Sequence, residues 1–329
     1  MKTELKFIGI DVSKATLDVC VLSESPESLV IKNNERSITK YFGKLLKKVD
    51  CHYHICVENT GKYSWELMRI LPKMKCSFYV VNPLHLKKSL GLVRGKNDVI
   101  DALRIAGFIR RNHNEMDRYI ERRTELESLQ VLVSERKFRV KQRKEIKTKS
   151  KEILVLGNVK LVRSILSKNE KLIKELTKQI VAIELEITKL IDSCERMKNM
   201  ASQLQSIPGV GPILCVNLIV KTNEFKTIKE PRKLACYAGV APFANTSGIS
   251  VFGRNKVSNL ADKGLKKLLH LGALSAIRLD NDLALYYNRK VKEGKNKMSV
   301  LNAVRNKIIH LVFALINNQT FYKNRLVVS

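Results

Sequence analysis

Four carboxylates carry the strongest chemical signal in the sequence: Asp11, Glu58, Asp98 and Asp101. Asp11 closes the apolar run that begins at Phe7, and Glu58 closes the run Tyr53–Val57, so each stands at a strand end. Asp98 and Asp101 are spaced i, i+3 and face one way from the first turn of a helix. Taken singly, such acids are more often turn residues or acids favoured by a helix dipole. Gathered together, they repel one another unless cations neutralise them. Two Mg²⁺ ions would do so, and such a pair clamps the attacking and leaving oxygens of a phosphodiester. Hard carboxylate oxygens suit Mg²⁺, or Mn²⁺, better than Zn²⁺.

Three further stretches bear on chemistry. Leu204–Pro212 reads as helix, tight turn, helix; Gly209 and Gly211 would let the backbone approach a nucleic-acid phosphate at the next helix start. Ser247 precedes Gly248 in a loop followed by Arg254 and Lys256. A serine there could attack phosphorus while the bases hold the phosphate, although Ser-Gly is also a common turn. Arg136–Lys151 holds nine basic residues and one acid, with Arg136, Lys137, Arg139, Lys141, Arg143 and Lys144 at its start, and is read as a nucleic-acid contact. Cys51, His52, His54 and Cys56 imitate metal-ligand spacing. On a strand, however, Cys51 faces away from the other three and no second ligand pair follows, so they read as half-buried strand residues.

The charge balance names the partner class. Lys and Arg total 61 against 31 Asp and Glu, a net charge of +30, so the chain is suited to a polyanion. At 44% hydrophobic it is no disordered basic tail, and 6% aromatic residues argue against a stacking platform for single strands. Duplex or structured nucleic acid held by its phosphates fits better. The apolar stretches 213–220 and 308–316 are too short to span a membrane, and Asp11 interrupts what would be a signal-peptide core. Seven scattered cysteines suit a reducing, cytoplasmic interior.

The elements that would position these groups fall into three segments. Residues 1–112 read β-β-β-α-β-α-β-α, the order of a ribonuclease-H-like sheet, in which the strands ending at Asp11 and Glu58 are neighbours. Residues 113–200 read as almost wholly helical. There Ile173, Leu176, Ile180, Ile183, Ile187 and Leu190 repeat at spacings 3, 4, 3, 4, 3, which makes either a subunit-pairing coiled coil or the inner face of a helix hairpin. Residues 201–329 regain Gly and Pro and carry helices at about 260–287 and 299–317.

As an ordered set, these pieces resemble a family: the transposases of bacterial insertion sequences that join a RuvC-like DEDD domain to a C-terminal serine domain. They are also called bridge-RNA-guided recombinases, and pilin-gene DNA invertases are relatives. The resemblance is carried by Gly9–Lys14, Val57–Tyr63, Asn82-Pro83, Lys96–Ala102, Ile207–Gly211 and Ala238–Pro242 with Ser247-Gly248, and it runs from residue 7 to about 317. It implies an α/β RNase-H/RuvC-like domain over 1–112, a long α-helical coiled-coil middle over 113–200 that pairs subunits, and a mainly α C-terminal domain over 201–329 with a helix–hairpin–helix. It implies that Asp11, Glu58, Asp98 and Asp101 hold Mg²⁺ and that Ser247 is the nucleophile, forming a phosphoserine link to DNA. It further implies donor and target DNA and a structured bridge RNA as partners, a homodimer that becomes a tetramer on DNA, and a bacterial cytoplasmic site at the nucleoid. Lys266 and Lys267 stand where the family often has arginines, and Asn97 where Thr or Ser is frequent. The competing readings are a Holliday-junction-type nuclease that uses the same acids with water, and a non-enzymatic nucleic-acid packaging protein.

Overall fold

The computed structural model describes residues 4–47, 50–89, 98–157, 160–247, 251–258 and 260–324, with the backbone alone at 98, 244–247 and 251–256. The chain forms two compact units, Met1–Glu121 and Arg122–Ser329.

The first unit is a five-stranded sheet with helices on both faces. Its elements are β1 (Glu4–Val12), β2 (Thr16–Leu22), β3 (Glu27–Lys32), α1 (Glu35–Leu45), β4 (Cys51–Glu58), α2 (Trp65–Ile70), β5 (Ser77–Val81), α3 (Pro83–Ser89) and α4 (Asp98–Asn112). The strands lie in the order β3-β2-β1-β4-β5. The first three are antiparallel, whereas β4 and β5 run parallel to β1. The segment is thus a mixed α/β sheet, and β1 lies beside β4 as its strand order predicts. Alternation along the strands feeds two cores. Ile8, Ile10, Ile55 and Val57 pack with Ile38 and Phe42 of α1 and Leu67 of α2, while Cys56, Tyr79 and Val81 pack with Ile105, Phe108 and Ile109 of α4.

The expected helix over 113–200 begins later than its composition suggests. Residues 113–123 are not helical among the described residues. The Tyr119 N–H donates to the Phe78 carbonyl at 2.8 Å and its ring meets Phe78 edge-on, so an edge strand satisfies the backbone there instead of a helix turn.

The second unit is mostly helical. It comprises α5 (Thr124–Leu154), α6 (Lys160–Asp192), α7 (Glu195–Gln205), α8 (Pro212–Lys221), α9 (Pro231–Tyr237), β6 (Pro242–Ser247), β7 (Val251–Val257), α10 (Lys263–Ala276), α11 (Asp282–Lys292) and α12 (Lys297–Asn318). α5 and α6 form an antiparallel hairpin, pinned by Arg136–Glu184 at 2.6 Å, Arg143–Thr177 at 3.2 Å and Asn169–Ser150 at 3.0 Å. Leu176, Ile180 and Ile187 of the heptad seam are buried within the chain, which makes that seam the inner face of a hairpin.

Two expectations are corrected here. The single helix over 260–287 is two, because Asn281 breaks it. Its side-chain oxygen accepts from the Leu283 and Ala284 N–H groups and its amide donates to the Ala276 carbonyl, so it caps α11 and closes α10. The loop expected to hold Ser247 is instead an antiparallel hairpin, β6–β7. α12 is long and apolar enough to cross a membrane by length and composition. In this unit, however, Val304, Ile308, Ile309 and Val312 lie in the core.

Candidate active site

Glycine at position 9 sets the geometry of the acids. A Cβ built there would lie 2.1 Å from the Ala102 carbonyl oxygen and 2.3 Å from the Ala106 nitrogen, so α4 rests directly on β1. Gly9 and Asp11 are two apart on one strand and share the face that α4 covers. Ile10 and Val57 are register partners in the parallel β1–β4 ladder, so Glu58 follows beside Asp11 one step on. Asp101 is the residue before Ala102, on the turn of α4 that meets Gly9. The backbone of Asp98 opens the same helix one turn earlier, and its side chain lies outside the described residues.

The exit of β4 is held by its own sequence. The Glu58 carbonyl accepts from Thr60 Oγ1 at 3.1 Å and Ser64 Oγ at 3.3 Å, and Asn59 N–H donates to Val81 O at 2.9 Å. Asn33 Nδ2 donates to the carbonyls of Ser13 and Tyr63, tying the β1–β2 turn to the segment after β4. Both acid-bearing strand ends are thereby anchored.

One acid escapes the sequence reading. Asp18 on β2 is the direct register partner of Asp11, is only 8% exposed, and faces α4 as Asp11 does. Asp18, Asp11 and Glu58 therefore form a row across β2, β1 and β4. Asp18 is buried and Asp11 and Glu58 are half-buried, and carboxylate oxygens suit a hard divalent cation by donor type. Asp101 is engaged within its own helix, where Arg104 Nη1 pairs with it at 2.7 Å. Among the described residues no three His, Cys, Asp or Glu side chains are close enough to hold a metal together, and Asp98 is not among those side chains. The His52/His54 pair is committed elsewhere: His52 to Ser77 Oγ at 2.8 Å and His54 to the Tyr79 hydroxyl at 3.1 Å.

The other candidates all lie in the second unit. Ser247 ends β6 with Val251 as its register partner, and its side chain, like those of Arg254 and Lys256, lies outside the described residues, as does Gly248. The basic stretch of α5 divides into two stripes. Arg136, Arg139 and Arg143 turn to α6, meeting Glu184, Gln179 and Thr177, whereas Lys137, Lys141 and Lys144 are exposed. Gly209, in the turn between α7 and α8, has φ +86°, and a Cβ there would lie 2.1 Å from the Gly272 carbonyl on α10. It faces packed helix, which accounts for the glycine without a phosphate, while Gly211 opens onto free space. Lys266 and Lys267 line a cavity between α10 and α12.

Comparison with known proteins bears on both units. Residues 8–158 match the DEDD transposase model of IS110 and residues 201–288 match the model described as Transposase IS116/IS110/IS902 family. The chain is 25% identical to the Pilin gene-inverting protein of Moraxella bovis, over 97% of this chain and 98% of that one. It is 22% identical to the Transposase for insertion sequence element IS1111A of Coxiella burnetii, over 97% of this chain and 92% of that one. It is 28% identical to the Insertion element IS110 uncharacterized 43.6 kDa protein of Streptomyces coelicolor, over 44% of this chain and 35% of that one.

Proposed function

We propose, for a chain that belongs to the IS110/IS116/IS902 transposase family, that it cuts and rejoins DNA strands through a serine-linked intermediate. The observation that carries the catalytic part is the row Asp18, Asp11 and Glu58 on the face that α4 covers, with Asp101 on the turn of α4 that Gly9 admits. Asp11, Glu58, Asp98 and Asp101 would hold Mg²⁺, which supplies neutralisation of phosphodiester charge when bound.

The chain's own residues do the rest. Ser247 Oγ attacks phosphorus, forming one P–O bond as the bond to the leaving strand breaks, and the leaving oxygen takes up a proton. A strand hydroxyl then attacks the phosphoserine, restoring a phosphodiester and releasing Ser247 with its proton. Each step forms one phosphoester bond as another breaks, so the phosphorus stays a diester and rejoining needs no nucleotide triphosphate. In this scheme the acids of one subunit meet Ser247 of another in a homodimer that becomes a tetramer on donor and target DNA, and a bridge RNA pairs with both DNAs. The net charge of +30 and the exposed Lys137, Lys141 and Lys144 support contact with phosphate backbones rather than with bases.

Strand exchange between donor and target plasmids tests this scheme. With Mg²⁺ and the RNA encoded beside the gene, wild type is expected to recombine, while Glu58→Gln and Ser247→Ala are each expected to be inactive. Recombination by Ser247→Ala would remove serine from the mechanism.

A further inference from the structure

The cavity between α10 and α12 gathers positive charge with no counter-charge among the described residues that line it. Lys263, Lys266, Lys267 and His270 stand at i, i+3, i+4 and i+7 of α10 and so share one face. α12 contributes Ser299, Asn302 and Arg305, and the base of the β6–β7 hairpin closes one side with the register partners Pro242 and Val257. The cavity is open, has a volume of about 830 Å³, and has no carboxylate among the described residues that line it.

Two groups inside it lack partners. Arg305 is only 6% exposed, yet its Nε meets no acceptor and no ion pair reaches its guanidinium among the described residues. Burial alone lowers its proton affinity. His270 Nδ1 is likewise buried without a partner, and burial, then the Arg305 charge, lower that ring's pKa. A buried arginine is costly unless an anion answers it. Here the space for one is present and roomy, and three lysines face it. The volume lies within the roughly 300–1,000 Å³ range of small-ligand sites, enough for a nucleotide-sized group.

We propose that this cavity is a phosphate site whose ligand is a backbone phosphodiester of the nucleic-acid strand that leads to Ser247. The strand, though not the anion, rests on the function proposed above. β6 runs from Pro242 at the cavity to Ser247, roughly 16 Å at the usual strand rise. Measured along the axis of a duplex, that is the rise of about five base pairs. Arg305 is thus a positioning residue: it fixes where the strand lies, and it reads no base because every nucleotide carries the same phosphate.

The test has two arms on the full chain. In the first, thermal unfolding is followed in inorganic phosphate and in sodium chloride at matched ionic strength, without nucleic acid. Wild type is expected to gain several degrees in phosphate. Arg305→Met is expected to be at least as stable in chloride and to lose the phosphate increment, and Arg305→Lys to keep part of it. An equal increment in wild type and Arg305→Met, or none in wild type, overturns the site. Should Arg305→Met not fold, the double variant Lys266→Gln, Lys267→Gln must lose the increment, and its persistence overturns the site equally.

The second arm measures affinity for DNA and RNA duplexes of one sequence across salt concentrations. Arg305→Met is expected to lose roughly tenfold and about one unit of salt slope, while Lys198→Gln on α7 stays within about twofold. Loss on DNA alone or on RNA alone identifies the strand, and loss on both identifies the shared phosphodiester. Loss on neither overturns the strand assignment. Wild type that binds neither duplex sinks the function proposed above, and the phosphate arm still decides the cavity.

Discussion

Gly9 of β1 and Ala102 of α4 meet so closely that a single methyl group would not fit between them: the Cβ of an alanine at position 9 would lie 2.1 Å from the Ala102 carbonyl oxygen. Backbone lies on both sides of that contact, so neither can yield by a rotamer change. Gly9→Ala is therefore expected to cost about 1–3 kcal/mol or more and to push the Asp101 turn away from Asp11. Denaturant unfolding followed by Trp65, the single tryptophan and part of this unit, reads the first effect, and strand exchange reads the second. Unchanged stability would mean that α4 does not rest on β1.

Asp18 is expected to matter to metal dependence. Asp18→Asn removes one charge from the row beside Asp11 and should raise the Mg²⁺ concentration for half-maximal activity roughly tenfold, the scale of a group that supports a ligand set. A large loss of activity with the Mg²⁺ requirement unmoved would assign Asp18 to packing alone.

His54 gives the first unit a pH dependence. Burial, then the nearby His113, His52 and Arg118 charges, lower its pKa from 6.5 to about 4. As pH falls through 6.5 the unfolded chain takes up a proton that folded His54 refuses. Stability is therefore expected to fall between pH 6.5 and about 4, by up to roughly 3 kcal/mol, and to gain no further slope from this group below that. Denaturation midpoints against pH check it: His54→Gln should flatten this part of the profile, and an identical slope would contradict the assignment.

The two stripes of α5 are expected to separate by experiment. Replacing Arg136 and Arg143 by Ala cuts their bonds to Glu184 and Thr177 on α6 and should lower stability by about 1–3 kcal/mol. Replacing Lys137, Lys141 and Lys144 by Gln should leave stability within about 0.5 kcal/mol and reduce the salt slope of nucleic-acid binding by about three. Equal effects of the two sets on both measurements would contradict the division.

Much of the first unit was legible because its strands are short apolar runs bounded by turn residues, and their order alone puts the strand ending at Asp11 beside the one ending at Glu58. Asp18 was not legible. Within Thr16–Leu22, Leu17, Val19 and Val21 alternate, so the residues between them read as solvent-facing; α4 covers that face too, and only strand pairing reveals Asp11 as the partner. The bases of α5 are alike in composition, and only the partner helix sorts arginine from lysine. The break at Asn281 escaped because apolar spacing continues through it, whereas a cap acts through one side chain. The β6–β7 hairpin escaped because its polar residues lack the alternation that marks a strand.

The most direct measurement is a search for the covalent intermediate. Protein, Mg²⁺, the RNA encoded beside the gene and labelled donor DNA are incubated and denatured, and any linked DNA is mapped by mass spectrometry of the digested protein. The expected result is a nucleotide adduct on the peptide carrying Ser247, absent from Ser247→Ala and from Asp11→Ala. Cut DNA with free ends and no adduct, retained in Ser247→Ala but lost in Asp11→Ala, would contradict serine attack and make the protein a hydrolytic nuclease.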